Sequence, residues 1–408
     1  MNLKGKHIIL GVTGGIAAYK SADLASKLTQ AAALVDVIMT EAATQFVAPV
    51  TFQAVTGRPV FTGMFQGLAG GTGPAAMNIA HVELARRADL IIIAPATANT
   101  IAKLSYGLAD ELLCATVLAS SCPLLLAPAM ESHMWLNAAT QENMERLKKR
   151  GVFVVGPGVG HLASGASGPG RMSDVPEILD TARYILGLNG ALAGRKIVVT
   201  AGGTREPIDP VRFVGNRSSG KMGFAVATAA RDRGAAVTLI SGPTELTPAV
   251  GVTYVAVETA AHMQDAVLTA CASADALIMA AAVADYRPAQ ASPHKIKKEA
   301  AADLTLSLVR TADILGEAAR RFPHLVKIGF AAESDDLLSN ARAKLEAKHL
   351  DMIVANDITA AGSGFGTDTN QVTLIFKDGH IEALPLLSKA EVAERIVDIV
   401  GELFNEQQ

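Results

Sequence analysis

Cysteine is scarce. Cys114, Cys122 and Cys271 are the only three in 408 residues, too few and too scattered for a disulfide framework or a Cys-x-x-Cys metal site. That usage suits a reducing compartment, so the cytoplasm is the expected location. Aromatic residues make up 4% of the chain, and 36 Lys+Arg against 39 Asp+Glu include no basic block. With few stacking platforms and no positive stripe, nucleic-acid binding is not expected. No uninterrupted apolar run reaches the ~18 residues of a membrane span, although mean hydropathy is +0.30. Alanine and glycine carry that value. Lys4 and Lys6 ahead of Ile8-Ile9-Leu10 imitate a secretory leader, but Gly11, Gly14 and Gly15 interrupt the apolar stretch. A buried first strand is expected there instead.

Half of the chain is apolar, and its length favours two or three domains, each with its own core. Leu3–Gly14 matches Leu192–Gly203 at an offset of 189 residues, so each half opens with a strand that runs into a glycine loop. Short strand-like runs then alternate with helical patterns: Leu34–Met39, Leu90–Ile93 and Leu124–Leu126 early, then Val237–Ile240, Leu277–Met279, Val326–Ile328 and Met352–Val354. This rhythm predicts an α/β protein with two doubly wound, mostly parallel-sheet, Rossmann-like domains. Gly187, Asn189 and Gly190 follow a helical pattern and precede the second strand opening, which places the boundary near residue 190, with domains at 1–190 and 191–408. Two glycine-rich segments, Phe65–Pro74 and Gly156–Gly170, lack either periodicity and are expected to be lids or flaps. Val372–Phe376, Lys377-Asp-Gly379 and His380–Leu384 predict a hairpin added antiparallel to the second sheet.

Gly11-Val-Thr-Gly-Gly15 lies where a strand meets a helix, where backbone N–H groups and the helix dipole can hold a phosphate. The full Gly-x-Gly-x-x-Gly fingerprint is missing, which disfavours an NAD-dependent oxidoreductase. Thr13 adds a hydroxyl suited to a mononucleotide phosphate; a tight strand–helix turn explains the same residues. In the second half, Gly215-Asn-Arg-Ser-Ser-Gly220-Lys221 has the spacing of a phosphate loop up to its lysine. Met222 then replaces the Ser or Thr that holds Mg²⁺, which excludes the P-loop NTPase reading and leaves a backbone anion site at this helix start.

Four segments of the first half resemble the flavin-dependent cysteine decarboxylases: Ala80-His81-Val82-Glu83-Leu84, Pro95-Ala-Thr-Ala-Asn-Thr100, Pro128-Ala-Met130 with Met134-Trp135, and Gly168-Pro-Gly-Arg-Met172. Gly203-Thr-Arg-Glu-Pro207, Asn216-Arg-Ser-Ser-Gly-Lys-Met-Gly223, Ala280–Arg287, Lys295-Ile-Lys-Lys298, Gly329–Glu333 and Ala355-Asn-Asp357 resemble the phosphopantothenate–cysteine ligase domain. Their order and fusion are similar to the bacterial bifunctional phosphopantothenoylcysteine decarboxylase/phosphopantothenate–cysteine ligases of coenzyme A biosynthesis, over nearly the whole chain. The resemblance implies a flavodoxin-like flavoprotein domain followed by a ligase domain. The ligase half would join cysteine to 4′-phosphopantothenate using CTP, and the flavin half would decarboxylate the product to 4′-phosphopantetheine.

For the flavin half, the resemblance implies FMN as the electron sink that no side chain provides. It implies FMN contacts at Thr13, Gly14, Gly15, Ile16, Thr40, Ala96, Thr97, Asn99 and Thr100; capping of turns by these hydroxyls and amides is the ordinary alternative. His81 matches the catalytic histidine, and near a helix start the dipole favours its neutral form. By position alone it reads as a solvent-facing histidine beside Glu83. Two residues depart from the family pattern. Glu131 stands where an asparagine is common on the substrate carboxylate, so either its pKa is raised or it points elsewhere and His133 or a backbone donor takes over. Ser164 stands where some members carry a proton-donating cysteine, and is expected to position a water or the substrate.

For the ligase half, an acid becomes an acylating agent once its oxygen is turned into a leaving group, which the family does by forming an acyl-cytidylate. Cations must screen the triphosphate. The resemblance assigns Lys295 to action on that intermediate, Asn216 to binding it, and Arg212 to the substrate phosphate. Met279, Ala280, Ala281 and Asp285 follow a buried strand, where doubly wound sheets bind ligands, and correspond to nucleotide contacts. Thr311, Ala312, Asp313, Ile314, Phe330, Lys344 and Lys348 complete that surface by resemblance, the two lysines four apart on one helical face. Mg²⁺ is expected with CTP, held by phosphate oxygens and waters; no protein metal ligands are assigned. Trimeric flavin domains and dimeric ligase domains, together able to form a dodecamer, are implied as the homo-oligomer. A ligase fused to a flavin-binding scaffold or regulatory domain, its decarboxylation impaired at Glu131 and Ser164, is the alternative.

Overall fold

The structure, a computed structural model, describes residues 3–64, 80–297, 304–333, 337–357 and 366–406. Phe65–Pro74 and Lys298 lie outside the described residues. The chain divides into two compact units, residues 2–186 and 187–408.

In the first unit, six strands form one parallel sheet: β1 (His7–Val12), β2 (Leu34–Met39), β3 (Val60–Phe61), β4 (Leu90–Ala96), β5 (Leu124–Pro128) and β6 (Phe153–Val154). Their order is β3-β2-β1-β4-β5-β6. The central strands are covered on both faces, which is why their sequences are apolar runs rather than alternations. One core layer joins β1 to the helices Ala18–Gln30 and Val175–Gly187; the other packs β4 and β5 against Ala98–Tyr106, Leu112–Ala119 and Ala138–Lys149. Helix Ala18–Gln30 buries Ala18, Ser21, Leu24, Ala25 and Leu28, the spacing of one helical face. The order of the strands reverses between β1 and β4, so the loops after these two strands diverge and leave a crevice at their carboxyl ends.

The segment Gly156–Gly170 departs from its sequence reading as an irregular flap. It contains an antiparallel hairpin, β7 (Gly158–His161) with β8 (Ser167–Arg171). Gly168 and Gly170 hid the strand pattern because their role is close approach: a Cβ on Gly170 would lie 2.2 Å from the Met130 carbonyl oxygen, and its φ is +141°. Gly170 in turn accepts a hydrogen bond from Met130 N–H at 3.0 Å, which ties the hairpin to the loop after β5.

In the second unit, β9 (Lys196–Ala201) opens the sheet and a small antiparallel pair follows, β10 (Arg205–Pro207) with β11 (Phe213–Gly215). The main sheet continues with β12 (Ala236–Ser241), β13 (Thr253–Ala256) and β14 (Ala276–Met279). A second antiparallel pair, β15 (Tyr286–Pro288) with β16 (Leu308–Arg310), precedes β17 (Val326–Glu333) and β18 (Met352–Asp357). Next come β19 (Thr369–Asn370), β20 (Val372–Phe376), β21 (Ile381–Ala383) and β22 (Leu387–Ser388). The eight-stranded sheet has the order β13-β12-β9-β14-β17-β18-β20-β21. It is parallel up to β18, and β20–β21 form the expected antiparallel hairpin. Helices Lys221–Arg231 and Lys389–Glu406 cover one face, and Ala260–Cys271, Ile314–Arg321 and Leu337–Ala347 the other. The reversal point here lies between β9 and β14. No described helix is long and apolar enough to cross a membrane.

Candidate active sites

The crevice of the first unit is a cavity of about 920 Å³, within the ~300–1,000 Å³ of small-molecule clefts. Gly14, Gly15 and Ile16 from the turn after β1, Thr40 from the turn after β2, and Thr97, Asn99 and Thr100 from the start of helix Ala98–Tyr106 all line it. A Cβ on Gly14 would lie 2.4 Å from that of Ala42, so this turn has room for glycine alone. Ser164, from the tip of the β7–β8 hairpin, and Glu131 line the same cavity.

Two expected cofactor contacts, Thr13 and Ala96, do not line the cavity. Thr13 is 1% exposed; its hydroxyl donates to the Pro95 carbonyl at 2.6 Å and accepts from Thr97 N–H at 3.2 Å. It fastens the loops after β1 and β4 to each other and is committed there. Ala96 is fully buried within β4 and does not line the cavity. Thr40 and Thr97 line the cavity and also cap helices, accepting from Ala43 N–H and Thr100 N–H.

Glu131 caps the helix Ser132–Leu136. Burial disfavours its charge, but the carboxylate accepts from His133 N–H at 2.7 Å and lies 3.3 Å from His133 Nδ1, and its pKa falls below the ordinary value. Glu131 is thus held by its own helix start, with its carboxyl lowered rather than raised. Positive charge in the cavity comes from residues the sequence reading missed, Lys20 and Arg171, which share the single carboxylate of Asp174 at 3.0 and 2.9 Å. Lys20 lies one turn beyond the glycine loop, a position that could have signalled it.

His81 is the second residue of helix Ala80–Arg87, and it does not line the cavity of its own chain. Its Nδ1 is buried with no hydrogen-bond partner among the described residues. The helix is anchored at its far end, where Arg87 reaches the buried Asp36 at 3.0 Å beside Arg58 at 2.8 Å. Among the described residues, Asp110, Glu111 and Cys114 form the one grouping of metal-ligand type. The Lys103 ammonium already holds both carboxylates, at 2.9 and 3.4 Å, and burial pushes the Cys114 thiol up to about 12.

The second unit has a cavity of about 830 Å³ at its own reversal point. Met279, Ala280, Ala281 and Asp285 reach it from the loop after β14, and Thr311, Ala312, Asp313 and Ile314 from the start of helix Ile314–Arg321. Asn216, Phe330, Lys344 and Lys348 line it as well. Asn216 Nδ2 donates to the Val283 carbonyl at 3.1 Å, joining the glycine-rich loop to the loop after β14. Lys344 Nζ donates to the Phe330 carbonyl at 3.2 Å, and Lys348 Nζ to Asp313 at 2.7 Å. Burial opposes ionisation of Asp313, but the Lys348 bond and Gly316 N–H prevail and hold its carboxyl below the usual range. The start of helix Lys221–Arg231 faces the same space through Ser218–Gly223. Lys221 there bonds Asp368 at 2.7 Å and the Gly366 carbonyl at 3.0 Å. Arg217, Arg310 and Lys389 also line the cavity. Lys389, from the last helix, carried no local motif by which the sequence could reveal it.

Arg212 and Lys295 do not line this cavity. Arg212, expected on a substrate phosphate, is instead paired with Asp209 and bonded to the Ile296 carbonyl at 3.0 Å. Lys295 is exposed on an irregular segment.

Residues 1–186 match the family described as Flavoprotein, and residues 192–403 the DNA/pantothenate metabolism flavoprotein C-terminal domain. The chain is 45% identical over 404 residues to the coenzyme A biosynthesis bifunctional protein CoaBC of Bacillus subtilis, covering 98% of each chain. It is 44% identical to the protein of the same description from Vibrio cholerae, covering 98% of this chain and 99% of that one. A solved C-terminal domain of such a protein is 43% identical, covers 53% of this chain and 99% of its own, and superimposes with a TM-score of 0.46. With near-complete coverage of both partners at such identity, the chain belongs to the family of coenzyme A biosynthesis bifunctional proteins.

Proposed function

We propose that the second unit joins cysteine to 4′-phosphopantothenate with CTP and that the first decarboxylates the product, 4′-phosphopantothenoylcysteine, to 4′-phosphopantetheine with FMN. The two activities are assigned to residues 191–408 and 1–190, in the cytoplasm. The observation that carries the reading is the convergence, on one cavity at the reversal point of the second sheet, of every expected ligase residue except Arg212 and Lys295.

In ligation, the phosphopantothenate carboxylate attacks the α-phosphorus of CTP and pyrophosphate leaves; the cysteine amine then attacks the acyl carbon and CMP leaves. Lys344, Lys348 and Lys221 supply fixed positive charge where the triphosphate's negative charge shifts toward the leaving group. Asn216, held by the Val283 carbonyl of the loop after β14, orients the acyl-cytidylate. Mg²⁺ enters with CTP on phosphate oxygens.

The first cavity fits FMN by its size, by the glycine turn at Gly14, and by the helix start at Ala98–Asn99, where the dipole favours a phosphate. When bound, FMN supplies the electron sink for decarboxylation. Lys20 and Arg171 orient the anionic substrate, and Ser164 positions substrate or water from the hairpin. Because His81 lies outside its own chain's cavity, the reading requires His81 of a neighbouring copy, which a trimer of flavin units supplies. Dimeric ligase units would likewise bring Lys295 to a neighbouring cavity.

One observation favours a second reading, a flavin-binding scaffold fused to an active ligase: Glu131 is ionised where the family commonly has a neutral amide. Incubating the full-length protein with 4′-phosphopantothenate, cysteine, CTP and Mg²⁺ and resolving products by mass tests both. The proposal expects 4′-phosphopantothenoylcysteine followed by 4′-phosphopantetheine, with the second step lost in His81→Asn. The scaffold reading expects the first product alone.

A further inference from the structure

Arg212 and Lys295, the two ligase residues that miss the cavity, are connected by a network centred on Asp209. The side chain of Asp209 has no solvent exposure. Its Oδ1 accepts from Val211 N–H at 2.8 Å and Arg212 N–H at 2.9 Å. Its Oδ2 accepts from Arg212 Nε at 2.9 Å, from Arg212 Nη2, and from Ile296 N–H at 3.1 Å. Arg212 Nη2 also donates to the Ile296 carbonyl at 3.0 Å. Ser292 N–H adds a third tie, to the Ile208 carbonyl at 2.9 Å.

The geometry of these bonds selects what they restrain. Ile296 N–H belongs to the planar peptide that follows Lys295, and the Ile296 carbonyl to the next one. One plane is held by a carboxylate and the other by the guanidinium paired with it. Both bonds are charge-assisted, roughly twice as strong as neutral ones, and the Arg212 contact holds the Asp209 carboxyl far below its usual range. The segment 291–297 has no helix or strand of its own, so these ties substitute for a ladder. Lys295 itself is exposed and bonded to no described residue. A flexible cation is thus mounted on a backbone fixed at the adjacent peptide.

We propose that Asp209 is a positioning residue of the ligation reaction: together with Arg212 it fixes the two peptide planes flanking Ile296 and so sets where Lys295 delivers its ammonium group. Arg212 in this arrangement serves the loop rather than the substrate phosphate. The inference rests on the reading of Lys295 as the group that acts on the acyl-cytidylate.

The test uses the full-length protein, with pyrophosphate release from CTP, 4′-phosphopantothenate and cysteine as one readout and amide hydrogen exchange of residues 292–297 as the other. Asp209→Asn keeps the side-chain size and removes the charge. It is expected to lower kcat about tenfold or more, since small misplacements of a reacting group carry penalties of that order, while each KM stays within about threefold and exchange at 292–297 accelerates. Arg212→Lys keeps the charge without the fork that reaches both Asp209 and Ile296, and should lower kcat in the same way. It also carries the test if Asp209→Asn does not fold. Native kcat and native exchange in Asp209→Asn, or a raised KM for 4′-phosphopantothenate with unchanged kcat in Arg212→Lys, would overturn the proposal. Lys295→Gln separates the two failures: native pyrophosphate release in that variant strikes the reading of Lys295 itself, whereas an inactive Lys295→Gln beside a native Asp209→Asn strikes the positioning role alone.

Discussion

The two cavities occupy equivalent places in their sheets, at the reversal of strand order, yet they are built from opposite materials. Among the described residues, the lining of the second carries six basic side chains, Arg217, Lys221, Arg310, Lys344, Lys348 and Lys389, against two acidic ones, Asp285 and Asp313. The first carries two, Lys20 and Arg171, against Glu41, Glu111 and Glu131. It offers instead a glycine turn, at Gly14 and Gly15, and a helix start at Ala98–Asn99. A site that must draw in and neutralise a triphosphate at every turnover needs preorganised positive charge; a site that keeps one phosphorylated cofactor can rely on backbone shape. The shared architecture fixes where a ligand binds, and the side chains decide which.

The largest expected break in the comparison is the double substitution Lys344→Ala with Lys348→Ala. Each lysine stands for a charged contact of ~1.5–3 kcal/mol, so kcat/KM for CTP should fall about a hundredfold or more, while flavin absorbance of the purified protein stays native. Next comes Asp36→Asn. Asp36 is buried and paired with both Arg58 and Arg87, and removing one partner from such a buried set costs about 3–5 kcal/mol. Calorimetry should show that loss in the transition of the first unit alone.

The acid limb of stability sharpens the comparison further. Asp209 in the second unit and Asp174 in the first both have lowered carboxyl pKa values, the former held chiefly by Arg212 and the latter by Lys20. For a lowered carboxyl the sign is fixed: the stabilisation is fully present above about pH 4, the ordinary carboxylate value, and is lost as pH falls through the depressed folded-state value. Asp209 is enclosed, whereas the Asp174 side chain is 65% exposed and screened by solvent. Asp209→Asn should therefore flatten the acid limb of thermal stability below about pH 4 more than Asp174→Asn does. The smallest effect is expected from Glu131→Asn, which keeps a helix-capping side chain and removes one negative charge from the first cavity. KM for 4′-phosphopantothenoylcysteine should fall about threefold, the order expected of one partly exposed charge near a helix end.

The sheets were legible in the sequence because buried parallel strands are apolar runs, as in Leu90–Ile93 and Met352–Val354, and because the opening strand recurs at an offset of 189 residues. In the lining of the second cavity, Met279, Ala280, Ala281 and Asp285 were legible because they cluster at the end of a buried strand, whereas Phe330, Lys344 and Lys348 were legible through the family resemblance alone. Three things were hidden. Gly168 and Gly170 serve close packing, against Ser132 and Met130, which erases the alternation of a hairpin. Thr13 and Arg212 have side chains suited to phosphate, but tertiary partners more than 80 residues away in sequence engage them, Pro95 for one and Ile296 for the other. Lys389 reaches its cavity from the far end of the chain, a proximity that only the completed sheet creates.

The most direct measurement of the division of labour is a mass-resolved time course with the full-length Gly14→Val variant, supplied with 4′-phosphopantothenate, cysteine, CTP and Mg²⁺. The larger side chain has no room beside Ala42. The account predicts a colourless protein that ligates at the native rate and accumulates 4′-phosphopantothenoylcysteine. A yellow variant that still forms 4′-phosphopantetheine, or a folded one that has lost ligation as well, would contradict it.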